Sequence, residues 1–231
     1  MGSTRLPGKV MAPIGGRSVL AHCIERLRHH SGLPVIVATT DLFDDDRVAA
    51  EAARLGAAIV RGSERDVLRR YIQAAREFSL TVLVRATADN PAVDMDAPRR
   101  TLDLLRQTGA DHVVEFGLPH GGAVEAMTVA ALETAANIAT DPLDREHVTT
   151  FIRRDRRFFA LPALAPGAVR QPRLRLTVDT AIDLAFMRRV FARVGAAPGM
   201  PSSLEDIIAA AMGVSMPAPA PSRSSTAFDI G

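Results

Sequence analysis

Two rhythms of apolar residues alternate along the chain. Short continuous apolar runs bounded by Gly, Pro or Asp read as buried strands, and apolar residues returning every third or fourth position read as amphipathic helices. Strands are predicted over residues 35–39, 57–60, 81–87, 111–115, 158–161 and 174–177. Between them, Ser18 caps a helix that places Val19, Leu20, Cys23, Ile24 and Leu27 on one stripe, with Gly32 beyond its end. Further helices are predicted over residues 44–55, with acids in the first turn and Gly56 as the stop, and from Val67 to Phe78. Asp96, with Pro98 in the first turn, starts another that ends at Gly109, and residues 124–128 lead into one running to about residue 139. Residues 144–154, a stretch opened by Thr180 and Asp183 and running to about residue 194, and residues 203–212 complete the set.

No fixed repeat interrupts this alternation, which predicts a three-layer α/β/α domain with a mainly parallel sheet. The periodicity stops at Pro217, so residues 1–216 are expected to form the domain and residues 217–231 a disordered tail.

Composition narrows the picture. With 231 residues, 47% hydrophobic and 23% charged, the chain is long enough for one well-cored domain. A net charge of +2 gives no general drive toward nucleic acid, so any affinity for phosphate must be local. A single cysteine rules out an internal disulfide, and the helical stripe around Cys23 favours packing over reactivity. No run approaches the ~20 apolar residues of a membrane span and no secretory signal opens the chain, so a cytoplasmic protein is expected. The six histidines show no metal-binding spacing with the cysteine.

The local phosphate chemistry is concentrated at the beginning. Gly2 and Gly8 allow main-chain N–H groups to approach an anion, Pro7 stiffens the turn, and Arg5 and Lys9 supply charge. Asp89 stands just past the strand predicted over residues 81–87, at the carboxyl end where open α/β sheets bind ligands. Ser63 and Asp66 have the spacing of a capping box that would start the following helix.

The run Gly2-Ser3-Thr4-Arg5-Leu6-Pro7-Gly8-Lys9 resembles the signature of cytidylyltransferases that activate acidic and surface-polysaccharide sugars. The nearest branch is the spore-coat polysaccharide cytidylyltransferase-like family, related to the enzymes that make CMP-sialic acid and CMP-KDO. Four later stretches follow in the same order: Gly62-Ser63-Glu64 with Asp66-Val67-Leu68, Val84 through Pro91, Arg145-Glu146-His147-Val148-Thr149, and Leu174 through Thr180. The resemblance covers about residues 1 to 195 and implies a nucleotide-diphospho-sugar transferase fold with a mixed sheet. It also implies transfer of CMP from CTP to a sugar hydroxyl, with Mg²⁺ as cofactor and a homodimer as a possible assembly. Arg5 and Lys9 would act on the phosphates. Gly2, Ser3, Gly8, Ser63, Arg85 and Asp89 would contact the nucleotide, Glu125, Glu146 and His147 the sugar, and Asp89 with Asp179 the metal. Asp183 is the alternative to Asp179, although Thr180 and Asp183 also fit a capping box. Glu146 and His147 fit an exposed charged helix equally well.

Three departures from the family pattern leave a second class of function open. Ala88 stands where glycine is usual, Ala123 where an acid is common, and the apolar first strand with its Ala-Arg pair does not precede the signature. A start codon upstream is expected to supply that strand; a nucleotide-binding module without turnover, or an enzyme using another nucleotide, are the alternatives.

Overall fold

The computed structural model describes residues 5–195 and 200–215. The expected tail, and the site candidates Gly2 and Ser3, lie outside the described residues. After a short 3₁₀ turn at Lys9–Met11, strands β1 (Pro13–Ile14) and β2 (Arg17–Ser18) form a two-residue hairpin leading into α1 (Val19–His29). Ser18 caps α1 as expected, its hydroxyl accepting from the Ala21 N–H at 3.0 Å. Strand β3 (Ile36–Thr40) then pairs in parallel with β4 (Ala58–Gly62) across the connecting helix α2 (Asp46–Arg54).

The larger sheet begins after α3 (Val67–Glu77). It contains β5 (Val82–Arg85) and, beyond α4 (Ala97–Thr108), β6 (His112–Phe116) and β7 (Glu125–Thr128). Helices α5 (Val129–Ile138), α6 (Pro142–His147) and α7 (Thr150–Arg154) precede β8 (Ala160–Leu164), and α8 (Ala181–Val194) with α9 (Leu204–Met212) close the described chain. The strand order is β5-β7-β6-β8. Strand β7 runs antiparallel to both β5 and β6, while β8 joins β6 in parallel, so the sheet is mixed, as the resemblance implies.

Strand alternation sets the layers. Leu83 and its cross-strand partner Met127 face α3 and α5, where Leu68, Ile72 and Leu132 are buried. Val84 and Ala86 turn the other way, toward Cys23 of α1 and Ala97 of α4. A strand with apolar residues on both faces is the pattern of a sheet covered on both sides. Cys23 is fully enclosed there, and burial pushes its thiol up to about 12, which makes it a packing residue.

Strands β3 and β5 do not pair with each other. Between their facing edges lies an apolar cavity of about 220 Å³, lined by Val35, Ile36 and Ala38 on one side, Val82 and Val84 on the other, and Tyr71 from α3.

Three expectations need correction. The helix predicted over residues 144–154 is two helices, α6 and α7, broken where buried Val148 takes a left-handed φ of 66°. Residues 174–177 do not form a strand; their one bridge joins Arg175 to His120. The cap of α3 is Asp66, which accepts from Arg69 N–H, while Ser63 only accepts from the N–H of Asp66. The α8 capping box is present, with Thr180 and Asp183 bonded reciprocally.

Candidate active site

The chain beyond β5 opens onto a polar cleft of about 410 Å³. Its walls come from separate segments: Asp89 and Asn90 after β5, His120 and Gly121 after β6, Thr177 and Asp179 before α8. Main-chain bonds hold these loops together. Val178 N–H donates to the Asp89 carbonyl at 2.9 Å, and Leu176 N–H to the His120 carbonyl at 2.8 Å. Gly121 makes the approach sterically open: its φ is 98°, and a Cβ there would stand 2.9 Å from the Thr177 nitrogen and 3.1 Å from Asn90 Oδ1.

This stitching brings Asp89 and Asp179 to one point, where a single cation meets both. Lys9 Nζ donates to Asp89 Oδ2 at 2.5 Å and to Asp179 Oδ1 at 2.6 Å. Burial alone would lower the Lys9 pKa, but the bonds to Asp179 and Asp89 outweigh it and raise it above the usual lysine value. For Asp179, burial pushes upward and is overcome by Lys9 and Arg175, so its carboxyl is held below the usual range. Arg5 Nη2 lies 3.4 Å from the same Asp179 oxygen on a largely exposed side chain.

Arg175 holds the rear of this group. It donates through Nη2 to Asp179 Oδ2, through Nε to Asp183 Oδ1 at 2.9 Å, and through Nη1 to His120 Nδ1 at 2.8 Å. Asp183 Oδ2 meanwhile accepts from Asp179 N–H, Thr180 N–H and the Thr180 hydroxyl. Asp183 is therefore occupied as a structural acid, while Asp179 faces the cleft.

On the opposite wall Arg85 Nη1 donates to Glu125 Oε2 at 2.7 Å, and the Thr149 hydroxyl donates to Oε1 at 2.9 Å. Burial would raise the Glu125 pKa, yet His112, Arg85 and Thr149 together bring it down to about 2. Glu125 is thus an ionised, fully engaged group.

The sequence profile of the cytidylyltransferases matches residues 1–197. The chain belongs to the cytidylyltransferase family. It is accordingly an enzyme of the CTP-dependent nucleotidyltransferase class. It is 32% identical over 214 residues to the spore coat polysaccharide biosynthesis protein SpsF of Bacillus subtilis, covering 88% of each chain. It is 26% identical over 183 residues to the 3-deoxy-manno-octulosonate cytidylyltransferase of Anaeromyxobacter dehalogenans, covering 72% of this chain and 75% of the relative. Among solved structures, a cytidylyltransferase from Leptospira borgpetersenii superimposes with a TM-score of 0.83 at 28% identity, covering 92% of this chain and 90% of that one.

Within this cytidylyltransferase, Arg85, Asp89, Glu125, His147 and Asp179 all line the cleft, and Arg5 and Lys9 reach it through Asp179. Gly8, with φ 69°, turns the main chain into the Lys9 helix turn. Two candidates fall elsewhere. Ser63 is exposed at the end of β4, with its hydroxyl bonded to the N–H of Asp66, and Glu146 is exposed outside the cleft lining. Arg145 of the same motif is a structural tie, with Nε and Nη2 on Asp66 Oδ2 at 2.9 and 2.6 Å. The sequence reading missed Arg175, Thr149, His112 and Arg153. Arg175 had a signal, since it precedes Asp179 by four residues and Asp183 by eight; the others come together only through β7 and the break at Val148. It also passed over one count: Lys9 is the only lysine among the 28 cationic residues.

Among the described residues no group of three or more His, Cys, Asp and Glu side chains forms a metal cluster, and no helix is long and apolar enough to cross a membrane.

Proposed function

We propose that the protein transfers CMP from CTP to the hydroxyl of a sugar, releasing pyrophosphate, in the synthesis of a surface polysaccharide or glycan precursor. The observation that carries this reading is the meeting of Lys9, Asp89 and Asp179 at one point of the cleft, in a chain of this family. The spore-coat and 3-deoxy-manno-octulosonate relatives support the sugar acceptor and its biosynthetic setting.

The transfer requires positioning and charge neutralisation more than a covalent nucleophile. Lys9 and Arg5 hold the β and γ phosphates, with main-chain N–H groups near Gly2, Ser3 and Gly8 assisting. Arg85, which lines the cleft, borders the nucleotide. Glu125, anchored by Arg85 and Thr149, orients the sugar together with His147. The sugar oxygen attacks the α-phosphorus, the bond to the β-phosphate oxygen breaks, and the hydroxyl proton passes to solvent.

The donor set at Asp89 and Asp179 fits Mg²⁺. Both donors are carboxylate oxygens, a cationic group already bridges them, and a hard divalent ion ordinarily takes one or two carboxylates with phosphate and water oxygens completing its shell. Bound there, the ion would neutralise charge on the triphosphate and the attacking oxygen. Pyrophosphate release measured with each of the four nucleotides against acidic and amino sugars tests the reading; release with CTP and one sugar class is expected, and no release with any pair contradicts it.

A second reading draws on the apolar gap between β3 and β5: a nucleotide-binding module without turnover. It predicts CTP binding with no pyrophosphate release from any acceptor.

A further inference from the structure

The two carboxylates that would hold the divalent ion are already bridged by a cation. Lys9 Nζ takes one oxygen from each, Asp89 Oδ2 and Asp179 Oδ1, and all three side chains are largely buried, at 15%, 21% and 14% exposure. We propose that the Lys9 ammonium is the resident counter-ion of this acid pair, and that a divalent cation enters by displacing it toward the triphosphate. The proposal rests on the reading above, in which Asp89 and Asp179 bind the metal and Lys9 the phosphates.

The geometry around Asp179 fixes which oxygen is exchanged. Arg175 binds Oδ2 from behind and is itself held by Asp183 and His120, so Oδ2 is committed to the scaffold. The oxygen left for the cleft is Oδ1, which Lys9 binds at 2.6 Å while the exposed Arg5 Nη2 stands beside it at 3.4 Å. An ammonium and a divalent ion compete for the same two oxygens, because each needs their lone pairs at close range.

The residue type supports exchange over permanent bridging. Every other cationic residue of the chain is arginine, and Lys9 alone is lysine. A guanidinium presents a rigid fork that locks onto carboxylates in bidentate fashion, whereas an ammonium is a compact charge on a flexible stem with three rotatable donors. Lys9 sits just after Gly8, and its stem reaches Asp89 and Asp179 from the turn that carries the signature. Lys9 thus has two stations: between the acids when no nucleotide is present, and on the distal phosphates when CTP arrives. Its departure frees the metal position, so nucleotide and metal favour each other, while the nucleotide-free protein holds metal weakly.

Lys9 also keeps the acids together before the metal comes. Two buried like charges without a cation between them would repel and draw solvent or splay apart. The ammonium preserves their convergence while remaining replaceable.

The test is binding of Mn²⁺ to the nucleotide-free protein, read by electron paramagnetic resonance, for the wild type, Lys9→Met, Lys9→Arg and the double variant Lys9→Met/Asp89→Asn. Removing two charge-assisted hydrogen bonds from the competing ammonium is expected to tighten Mn²⁺ binding in Lys9→Met by about tenfold or more. Lys9→Arg is expected to bind no better than wild type. Equal Mn²⁺ affinity in wild type and Lys9→Met, lost when Asp89 is replaced, overturns the displacement and leaves the metal reading intact. Mn²⁺ retained by the double variant lies elsewhere and overturns the metal reading beneath it, and Mn²⁺ bound by none of the proteins overturns both. Should Lys9→Met fail to fold, wild-type protein labelled with [¹⁵N]lysine reports one side-chain signal. That signal is expected to move as Mg²⁺ alone is added, in proportion to metal bound; a signal that stays fixed while metal binds overturns the proposal.

Discussion

Arg85 and Glu125 stand directly opposite each other on antiparallel strands β5 and β7, and their side chains close an ion pair at 2.7 Å inside the cleft wall. The register of the sheet thereby sets the floor of the site. A one-residue slip of either strand would turn its member of the pair to the other face of the sheet, into the apolar layer of α1 and α4.

This pair gives a pH signature. The Glu125 carboxyl is depressed to about 2 from an ordinary 4.5, so its contribution to stability is complete above the unfolded value and is lost as pH falls from about 4.5 through about 2. The shift corresponds to roughly 3 kcal/mol at most. Glu125→Gln is expected to melt well below wild type at pH 7, with the difference shrinking toward pH 2.5. A difference that stays constant between pH 7 and pH 2.5 would show that the charge of Glu125 does not stabilise the fold.

Asp179 and Asp183 are expected to fail in opposite ways. Asp183→Asn weakens the α8 capping box and its bond to Arg175, which should cost about 1–2 kcal/mol of stability. Asp179→Asn takes a charged partner from Lys9 and Arg175 and should melt somewhat below wild type, but its expected signature is loss of Mg²⁺-supported turnover in protein still folded at the assay temperature. The assignment moves to Asp183 if its Asn variant loses turnover with an unchanged melt while Asp179→Asn stays active.

Gly121 is expected to tolerate no side chain. Alanine there combines a strained φ of 98° with a contact at 2.9 Å to the Thr177 backbone, so the loop must lift away from residues 176–177. Gly121→Ala should destabilise by at least about 1 kcal/mol and lower turnover, because the same loop supports Asp89 and Asp179. Thermal melting and turnover matching wild type would contradict this.

The gap between β3 and β5 is expected to accept a strand. Filling this apolar groove of about 220 Å³ would take the walls supplied by Val35, Ile36, Val82 and Val84 out of water and give both strand edges a partner. Extending the protein ahead of Met1 by a short apolar strand should raise the thermal midpoint. Equal midpoints for the two lengths would mean that the gap closes by other means.

Much of this architecture was legible because local signals and burial agree. Ser18, Gly109 and the Thr180–Asp183 box terminate helices where the sequence says they should, and the apolar run around Val82–Val84 belongs to a strand covered on both faces. Legibility failed where tertiary contacts override local preference. Val148 is β-branched and sits in a helical pattern, yet its burial against α3 and α5 is reached with a left-handed backbone that lets Thr149 turn to Glu125. Arg175 lies in an apparently strand-like run, but its side chain is committed to two acids and a histidine, and only one bridge forms. Asp89 is marked by its place at a strand's carboxyl end and Asp179 by resemblance to the family; no local pattern states that they share one ammonium, since the contact depends on loops 90 residues apart in sequence being stitched at Val178.

The most direct test of the account is to follow the α-phosphate. Incubated with Mg²⁺, CTP labelled at the α-phosphorus and a panel of acidic and amino sugars, the protein should move the label into a CMP–sugar conjugate, with one pyrophosphate released per conjugate formed. Label that stays in CTP with every sugar, or that moves equally well from ATP, GTP or UTP, would contradict cytidylyl transfer as the function of this site.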